Sequence, residues 1–203
     1  MSSVEEAVAA LRAGEVVILP TDTVYGLCAD PCAEASARRL AELKGRPQTQ
    51  PIALLASDFE AILDAVPELR GCAAVHAGAL LPGPYTLVLP NPGRRFPWLC
   101  GKNPDAIGIR VPELPPAART VVDRMGAVAA TSANRHGAPD PARVQDVPDE
   151  ILAQVLAVDV GELPGTPSTV LDLTGPEPVV LREGAVPAAE VLARLSGLTA
   201  AEL

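Results

Sequence analysis

Residues 15–27 read Glu-Val-Val-Ile-Leu-Pro-Thr-Asp-Thr-Val-Tyr-Gly-Leu, and the fold prediction starts from this stretch. The apolar run 15–19 is typical of a buried strand, and Pro20 should end it because proline has no N–H for a ladder bond. Four side chains with a hydroxyl or carboxylate group follow within five residues, namely Thr21, Asp22, Thr23 and Tyr25. Open α/β sheets bind ligands at strand ends, but Thr and Asp also cap helices. The loop is therefore either a binding site or an ordinary turn that begins a helix.

The size and hydrophobicity of the chain indicate one globular domain. It has 203 residues, of which 48% are hydrophobic, which is enough for a single full core. No apolar run is long enough to span a membrane. The acidic residues 1–6 lack the cationic segment followed by an apolar segment that a secretion signal has. We therefore expect a single domain over residues 1–203, located in the cytoplasm and without a membrane partner.

The charge balance argues against a protein whose main role is to grip nucleic acid. The chain has 16 Lys and Arg against 25 Asp and Glu, a net charge of −9, and only 2% aromatic residues. Phosphate binding needs cations, and base stacking needs aromatic rings. The four cysteines complete no zinc-ligand set, so we expect free buried thiols and no metal site; they are Cys28, Cys32, Cys72 and Cys100.

Apolar patterns and their boundary residues predict alternating helices and strands. Ser3 should cap a helix over 3–13 that ends at Gly14, and Asp30 should cap a second helix that ends at Lys44. Further helices are predicted over 58–65, 68–80, 116–125 and 188–195, with short ones within 141–154. Further strands are predicted over 52–55, 85–89, 107–111, 127–130, 155–159, 169–173 and 178–182. This alternation indicates an α/β sheet covered by helices on both faces.

Several predicted elements end in clusters of cations, hydroxyl groups and amides. They are Thr21–Tyr25, residues 44–46, Arg110, residues 131–134, residues 165–169 and residues 182–184. In an otherwise acidic chain, such clusters suit a polyanionic small molecule held in a pocket, of which a nucleoside triphosphate is the obvious candidate. The sequence contains no Walker motif and no Gly-x-Gly-x-x-Gly after a strand, so an ATP site here must be of another type.

Seven motifs occur in one order and at fitting intervals along the chain. They are Pro-Thr-Asp-Thr-Val-Tyr-Gly-Leu at 20–27, Lys-Gly-Arg-Pro at 44–47, Pro-Gly-Pro-Tyr-Thr at 82–86, Ile-Arg-Val-Pro at 109–112, Thr-Ser-Ala-Asn at 131–134, Pro-Ser-Thr-Val at 167–170 and Leu-Arg-Glu-Gly at 181–184. With them the chain resembles the YrdC-type threonylcarbamoyl-AMP synthases over residues 5–195, in the short form without the extra C-terminal domain.

The resemblance implies a fold and an activity. The fold is a single-domain twisted mixed α/β sheet, mostly parallel, with helices on both faces and a concave, positively charged cavity. The activity is the conversion of L-threonine, bicarbonate and ATP into threonylcarbamoyl-AMP and pyrophosphate, with Mg²⁺ carried on the ATP. The product feeds the threonylcarbamoyl modification of adenosine in tRNA, which implies hand-over to a tRNA threonylcarbamoyl-transfer complex and leaves direct tRNA contact open.

The resemblance also assigns roles to residues. Lys44 and Arg46 match the Lys-x-Arg motif, which holds the phosphates and supplies the catalytic cations. The rest of the ATP site is Thr131, Ser132, Asn134 and Arg182. The threonine site is Thr23, Arg110 and Ser168. No residue is assigned to a metal or to a general base, and the loop 135–137 departs from the family pattern.

Two alternatives remain open from the sequence. One is a domain that forms a carbamoyl-adenylate and transfers the carbamoyl group, as multidomain relatives of this fold do. The other is a non-catalytic RNA-binding module, whose binding would weaken steeply as salt rises.

Overall fold

The computed structural model describes residues 3–197. Within that range the helices are α1 Val4–Arg12, α2 Glu34–Lys44, α3 Phe59–Ala65, α4 Cys72–Leu80, α5 Pro116–Met125, α6 Asp149–Leu152 and α7 Ala188–Ser196, with 3-10 turns at Pro97–Leu99 and Val144–Asp146. The strands are β1 Val17–Pro20, β2 Tyr25–Ala29, β3 Ala53–Ala56, β4 Tyr85–Pro90, β5 Ala106–Arg110, β6 Ala127–Ser132, β7 Leu156–Ala157, β8 Thr169–Asp172 and β9 Val179–Arg182. None of these helices has the length and apolar character needed to cross a membrane.

The described strands form one mixed sheet in the order β7-β1-β2-β6-β3-β5-β4-β8-β9. Three of its eight pairings are parallel and five are antiparallel. The mixed sheet is confirmed, but the expectation that parallel pairs dominate is wrong. One reason is the β1–β2 connection, which is too short for a parallel crossover and joins the two strands as an antiparallel pair.

The polar loop after β1 is a tight turn between two strands rather than the start of a helix. Thr21 Oγ1 accepts hydrogen bonds from the main-chain N–H groups of Thr23 and Val24 and donates one to the Val24 carbonyl at 2.8 Å. Strand β2 follows at once, and its first residue, Tyr25, pairs with Pro20. Strand β2 was not predicted, because its first residues belong to the polar stretch before Leu27. The hydrogen bonds of Thr21 and the pairing of β1 with β2 therefore fix the position of the turn.

Of the four predicted ends of the first two helices, three are confirmed. Ser3 and Glu6 form a capping box at the start of α1, and Gly45 closes α2 in the left-handed region at φ 63°. Helix α2 starts at Glu34, however, and the prediction that Asp30 caps it is wrong. Asp30 Oδ1 instead accepts from the Cys32 N–H at 2.8 Å, a local turn that uses up the side chain before the helix begins.

The sheet has a helical layer on each face, as predicted. One face packs against helices α2, α3, α4, α6 and α7 through a core that includes Ile18, Leu54 and Leu87. The other face packs against α1 and α5 through a smaller core that includes Val17, Leu55 and Val128. The two smaller-core helices contact β1, β6 and β7, so they cover one end of that face.

The other end of the smaller-core face forms a concave surface. Burial alternates along β4, where Leu87 and Leu89 are fully buried and Thr86 and Val88 are partly exposed. Side chains alternate between the faces of a strand, so Thr86 and Val88 lie on the face opposite the main core. Strand register places Arg110 on that face too, because Arg110 pairs with Leu55 of the smaller core. The cavity described next lies here.

Candidate active site

A cavity of about 380 Å³ lies over strands β4, β5, β6, β8 and β9. Six of the residues predicted from the sequence line it: Arg46, Arg110, Thr131, Ser132, Ser168 and Arg182. The other three are buried and contact lining residues from behind; they are Thr23, Lys44 and Asn134, with exposed fractions of 1%, 4% and 5%. The fold therefore gathers all nine predicted residues at one place.

Lys44 ends helix α2 and points its ammonium group at the end of β6. Its Nζ donates to the carbonyl of Ser132 at 2.7 Å, to Ser132 Oγ at 2.9 Å and to Asn134 Oδ1. Burial, with help from the nearby Arg46 charge, lowers the pKa of Lys44 to about 8, and Asp140 acts in the opposite direction. The cation acts on the cavity through Ser132 and Asn134.

The side chain of Asn134 is held in one orientation by four partners. Its Oδ1 accepts from Lys44 and from Ser132 Oγ, the latter at 2.8 Å. Its Nδ2 donates to the Ala138 carbonyl and to Asp140 Oδ1, the latter at 3.1 Å. Reversing the amide would point two oxygen acceptors at its oxygen, so this network fixes which end faces Lys44.

Arg46 lies two residues after Lys44 and lines the cavity directly. Its guanidinium donates to Thr131 Oγ1 at 3.0 Å and to the Pro51 carbonyl at 2.7 Å. Burial lowers the pKa of Arg46, and its buried Nε has no hydrogen-bond partner among residues 3–197. A guanidinium cation that lines a cavity is suited to an anionic ligand.

Arg110 forms a nearly buried ion pair with Asp22, which lies in the polar turn between β1 and β2. The guanidinium donates to Asp22 Oδ1 at 2.8 Å and to Thr23 Oγ1 at 3.1 Å, and each ion-pair side chain is 11% exposed. Burial raises the pKa of Asp22 against the opposing effect of Arg110, and burial lowers the pKa of Arg110 against the effect of Asp22. Asp22 was missed as a site residue, although it stands within the polar loop that the sequence analysis singled out.

A third polar group forms where β8 meets β4. Ser168 Oγ and Thr86 Oγ1 are 2.8 Å apart, and Arg182 donates to the Ser168 carbonyl at 2.7 Å. A Cβ on Gly184 would lie only 2.3 Å from the Pro167 carbonyl oxygen, so glycine is needed for β9 to approach this loop. Thr86 was not predicted as a site residue. The alternation of buried and partly exposed residues along β4 indicates it, because this alternation places Thr86 on the face away from the main core.

The charges around the cavity are mostly positive. Its described lining contains three arginines and one carboxylate, that of Asp140, which the sequence analysis did not assign. This balance fits the positively charged cavity that was expected and favours a ligand with several negative charges.

The cysteines lie outside this polar network except for Cys100, which lines the cavity. Cys28 and Cys100 are buried, whereas Cys32 and Cys72 are exposed, so the expectation of burial is wrong for the latter two. Burial raises the pKa of Cys28 to about 12. Over the described part of the chain, no three His, Cys, Asp or Glu side chains come together as a metal site.

Comparisons with known proteins found a family model and curated relatives that are similar to this chain. The model of the Sua5_yciO_yrdC family, described as "Telomere recombination", matches residues 9–184. The "Threonylcarbamoyl-AMP synthase" of Pyrococcus abyssi is 34% identical over 183 residues, which are 89% of this chain and 54% of that protein. A "Putative threonylcarbamoyl-AMP synthase" of Mycobacterium tuberculosis is 33% identical over 200 residues, 97% of this chain and 90% of that protein.

A solved structure shares the fold as well as the sequence. The crystal structure of P. abyssi Sua5 complexed with L-threonine superposes with a TM-score of 0.85 at 33% identity. The match covers 94% of this chain and 56% of that one, so this chain spans about half the length of the P. abyssi relative.

Proposed function

The chain belongs to the Sua5/YciO/YrdC family, and from that premise we propose that it makes threonylcarbamoyl-AMP and pyrophosphate from L-threonine, bicarbonate and ATP. The observation that carries the proposal is that one cavity holds two separate polar groups. One surrounds Arg46 and the end of β6, and the other surrounds Arg110 and Ser168. Two polar groups in one cavity suit two substrates that react with each other.

The group around Arg46 is the proposed phosphate site. Arg46, Thr131 and Ser132 line the cavity, so the Arg46 charge and the two hydroxyl side chains are placed next to a bound phosphate. Lys44 and Asn134 stand behind them and hold Ser132 in place. Charge-assisted hydrogen bonds of this kind are about twice as strong as neutral ones, which suits a triphosphate.

The group around Arg110 is the proposed threonine site. A guanidinium suits the α-carboxylate of an amino acid, and the hydroxyls of Thr86 and Ser168 suit the threonine hydroxyl. Thr23 contributes from behind the lining, where its hydroxyl accepts a hydrogen bond from Arg110. The structure of P. abyssi Sua5 with L-threonine supports an amino-acid site in this fold. Arg182 contacts Ser168 and also lowers the pKa of Arg110 by its charge, so we place it where the amino acid and the nucleotide meet.

The reaction needs positioning and positive charge more than proton transfer. The threonine amine combines with bicarbonate to give a carbamate and one molecule of water, a carbamate oxygen attacks the α-phosphorus, and pyrophosphate leaves. Negative charge is carried by the phosphates throughout, so arginines held rigidly in a partly dry cavity stabilise the transition state. We assign no general base.

Mg²⁺ is proposed to arrive with ATP and to neutralise part of the charge of the triphosphate. The absence of a cluster of three metal-binding side chains within residues 3–197 fits an ion held mainly by phosphates and water. We further propose that the product passes to a tRNA threonylcarbamoyl-transfer complex in the cytoplasm, with no need for this acidic chain to hold tRNA tightly.

The test is a pyrophosphate-release assay in which each substrate is omitted in turn. Release should require ATP, L-threonine and bicarbonate together, and mass spectrometry should identify threonylcarbamoyl-AMP. Release that ignores threonine, or that runs equally well on carbamoyl phosphate, would favour the carbamoyl-transfer alternative. RNA binding that falls steeply with salt, without any pyrophosphate release, would favour the RNA-binding module.

A further inference from the structure

Asp140 is the one carboxylate in the described lining of the cavity, and it shares that lining with Arg46, Thr131 and Ser132. The residue is held on both sides. Its Oδ1 accepts from Asn134 Nδ2 at 3.1 Å, and the carbonyl of the next residue, Pro141, accepts from the Tyr25 N–H at 3.0 Å. A carboxylate fixed in this way has a defined place in the cavity.

The second oxygen of Asp140, Oδ2, has no hydrogen-bond partner within residues 3–197, and it is not among the buried polar atoms that lack one. It is therefore open to a ligand. Asp140 is close enough to the Lys44 cluster for its charge to counter the lowering of the Lys44 pKa, which places it beside the proposed phosphate site. Alone, a negative charge at this position repels a triphosphate.

A divalent cation turns that repulsion into attraction. Mg²⁺ prefers oxygen ligands, keeps several waters, and is commonly held by one or two carboxylates together with substrate phosphates. One carboxylate facing a phosphate site, with Thr131 and Ser132 hydroxyls beside it, matches that pattern without a complete protein cage.

We propose that Asp140 binds, through Oδ2, the Mg²⁺ ion that accompanies ATP, an inference that rests on the proposed function. No residue was predicted as a metal ligand, and Asp140 stands outside the seven motifs. Asp140 makes the cavity select Mg²⁺-ATP over free ATP, because it attracts the complex and repels the uncomplexed nucleotide.

The test is the affinity for ATP, measured by calorimetry with excess Mg²⁺ and again with a chelator, in the absence of threonine and bicarbonate. The variant Asp140→Asn keeps an oxygen that accepts from Asn134 but loses the charge. Its matched control is Asp149→Asn, which removes the same charge from an exposed position at the start of α6.

Wild type and Asp149→Asn should both bind ATP more tightly with Mg²⁺ than without it. In Asp140→Asn, the increase in ATP affinity that Mg²⁺ produces should be about ten-fold smaller than in wild type, since metal affinity depends strongly on ligating and supporting carboxylates. The same variant should bind free ATP more tightly than wild type, because a repulsive charge has gone.

Two outcomes would overturn the inference alone. One is an unchanged Mg²⁺ gain in Asp140→Asn. The other is an equal loss of affinity with and without Mg²⁺, which would mean that Asp140 only positions Asn134. A wild-type protein that binds no ATP in either condition would overturn the proposed function and this inference with it, so the two failures are distinguishable.

Discussion

The ammonium group of Lys44 donates a 2.7 Å hydrogen bond to the main-chain carbonyl of Ser132, a residue 88 positions away in the sequence. Together with its bonds to Ser132 Oγ and Asn134, this contact joins the end of α2 to the end of β6. Lys44 is 4% exposed and stands behind the lining of the cavity rather than in it. Lys44 therefore supports the residues of the proposed phosphate site from behind and contributes its charge from a short distance.

The first prediction is a loss of ATP affinity above pH 8. The pKa of Lys44 is lowered to about 8, so the side chain is charged below that pH and becomes neutral as the pH rises through it. A neutral lysine no longer attracts phosphate, and the dissociation constant for ATP should rise across this step. Titration of ATP affinity on both sides of pH 8 measures it.

Two variants test whether Lys44 causes the step. Lys44→Met should bind ATP about ten- to a hundred-fold more weakly below pH 8 and should show no step, since a charge-assisted bond is worth about 1.5–3 kcal/mol. Arg46→Ala should move the step to higher pH, because the Arg46 charge helps to lower the Lys44 pKa. A step that persists unchanged in Lys44→Met would assign it to another group.

The second prediction concerns Arg46 as the phosphate contact. Arg46→Ala should weaken ATP binding by about ten- to a hundred-fold while leaving the threonine requirement unchanged. The control is Arg38→Ala on the surface of α2, which removes only an exposed ion pair with Glu34. Exposed pairs contribute about 1 kcal/mol or less, so this variant should keep wild-type kinetics. Equal kinetics for both variants would make Arg46 a structural residue.

The third prediction uses the fixed orientation of Asn134. Asn134→Asp should harm ATP use more than Asn134→Ala, because a carboxylate would face the Ala138 carbonyl, Asp140 and the phosphates. When ATP affinity is measured with a chelator, so that Mg²⁺ binding plays no part, adding Asp140→Asn should recover part of the loss, since the new amide can donate to the carboxylate at 134. A double-mutant cycle on ATP affinity measures the coupling, and strictly additive effects would contradict the network.

Local signals predicted the elements well, but not their long-range partners. The cap at Ser3 and the end of α2 at Lys44 depend on neighbouring residues, and both predictions are confirmed. Strand β2 was missed because its identity comes from pairing with β1 and β6, which a short polar stretch does not reveal. Asp30 failed as a helix cap because a competing local turn used its side chain.

The same division holds for the site. The motifs selected nine residues, and the fold brings them together around one cavity. How deeply each side chain is buried was not predictable from the sequence, because the burial of Lys44, for example, follows from the contact of α2 with β6. Nor was the Asp22–Arg110 pair, whose members are 88 positions apart and meet only through strand order. Thr86 and Asp140 were given no role from the motifs; the alternation of β4 marks Thr86, whereas Asp140 is revealed only by the cavity that it lines.

The fourth prediction concerns the stability of that pair. Asp22→Leu should lower the free energy of unfolding by up to about 3 kcal/mol, because it leaves the nearly buried Arg110 charge unpaired. Adding Arg110→Met should restore most of this stability, although it removes the proposed carboxylate contact, because replacing both members of a buried pair by apolar groups is often neutral. Urea unfolding measures both. A double variant as unstable as the sum of the singles would contradict the argument.

The last prediction is the choice of amino acid. The hydroxyls of Thr86 and Ser168 lie 2.8 Å apart beside the Arg110 group and would be left without their ligand partner by an amino acid that has no hydroxyl. Pyrophosphate release should therefore fall sharply with 2-aminobutyrate, whereas serine, which lacks only the methyl group, should lose about 1–3 kcal/mol of transition-state binding.

Two variants test separately the proposed contacts with the carboxylate and with the hydroxyl group of threonine. Arg110→Lys should raise the KM for threonine, because a single ammonium cannot reproduce a two-pronged grip on a carboxylate while also bonding Asp22 and Thr23. Thr86→Val keeps the shape of the side chain but removes its hydroxyl, so it should narrow the preference for threonine over 2-aminobutyrate and leave ATP affinity unchanged. A wild-type preference in Thr86→Val would place the threonine hydroxyl elsewhere in the cavity.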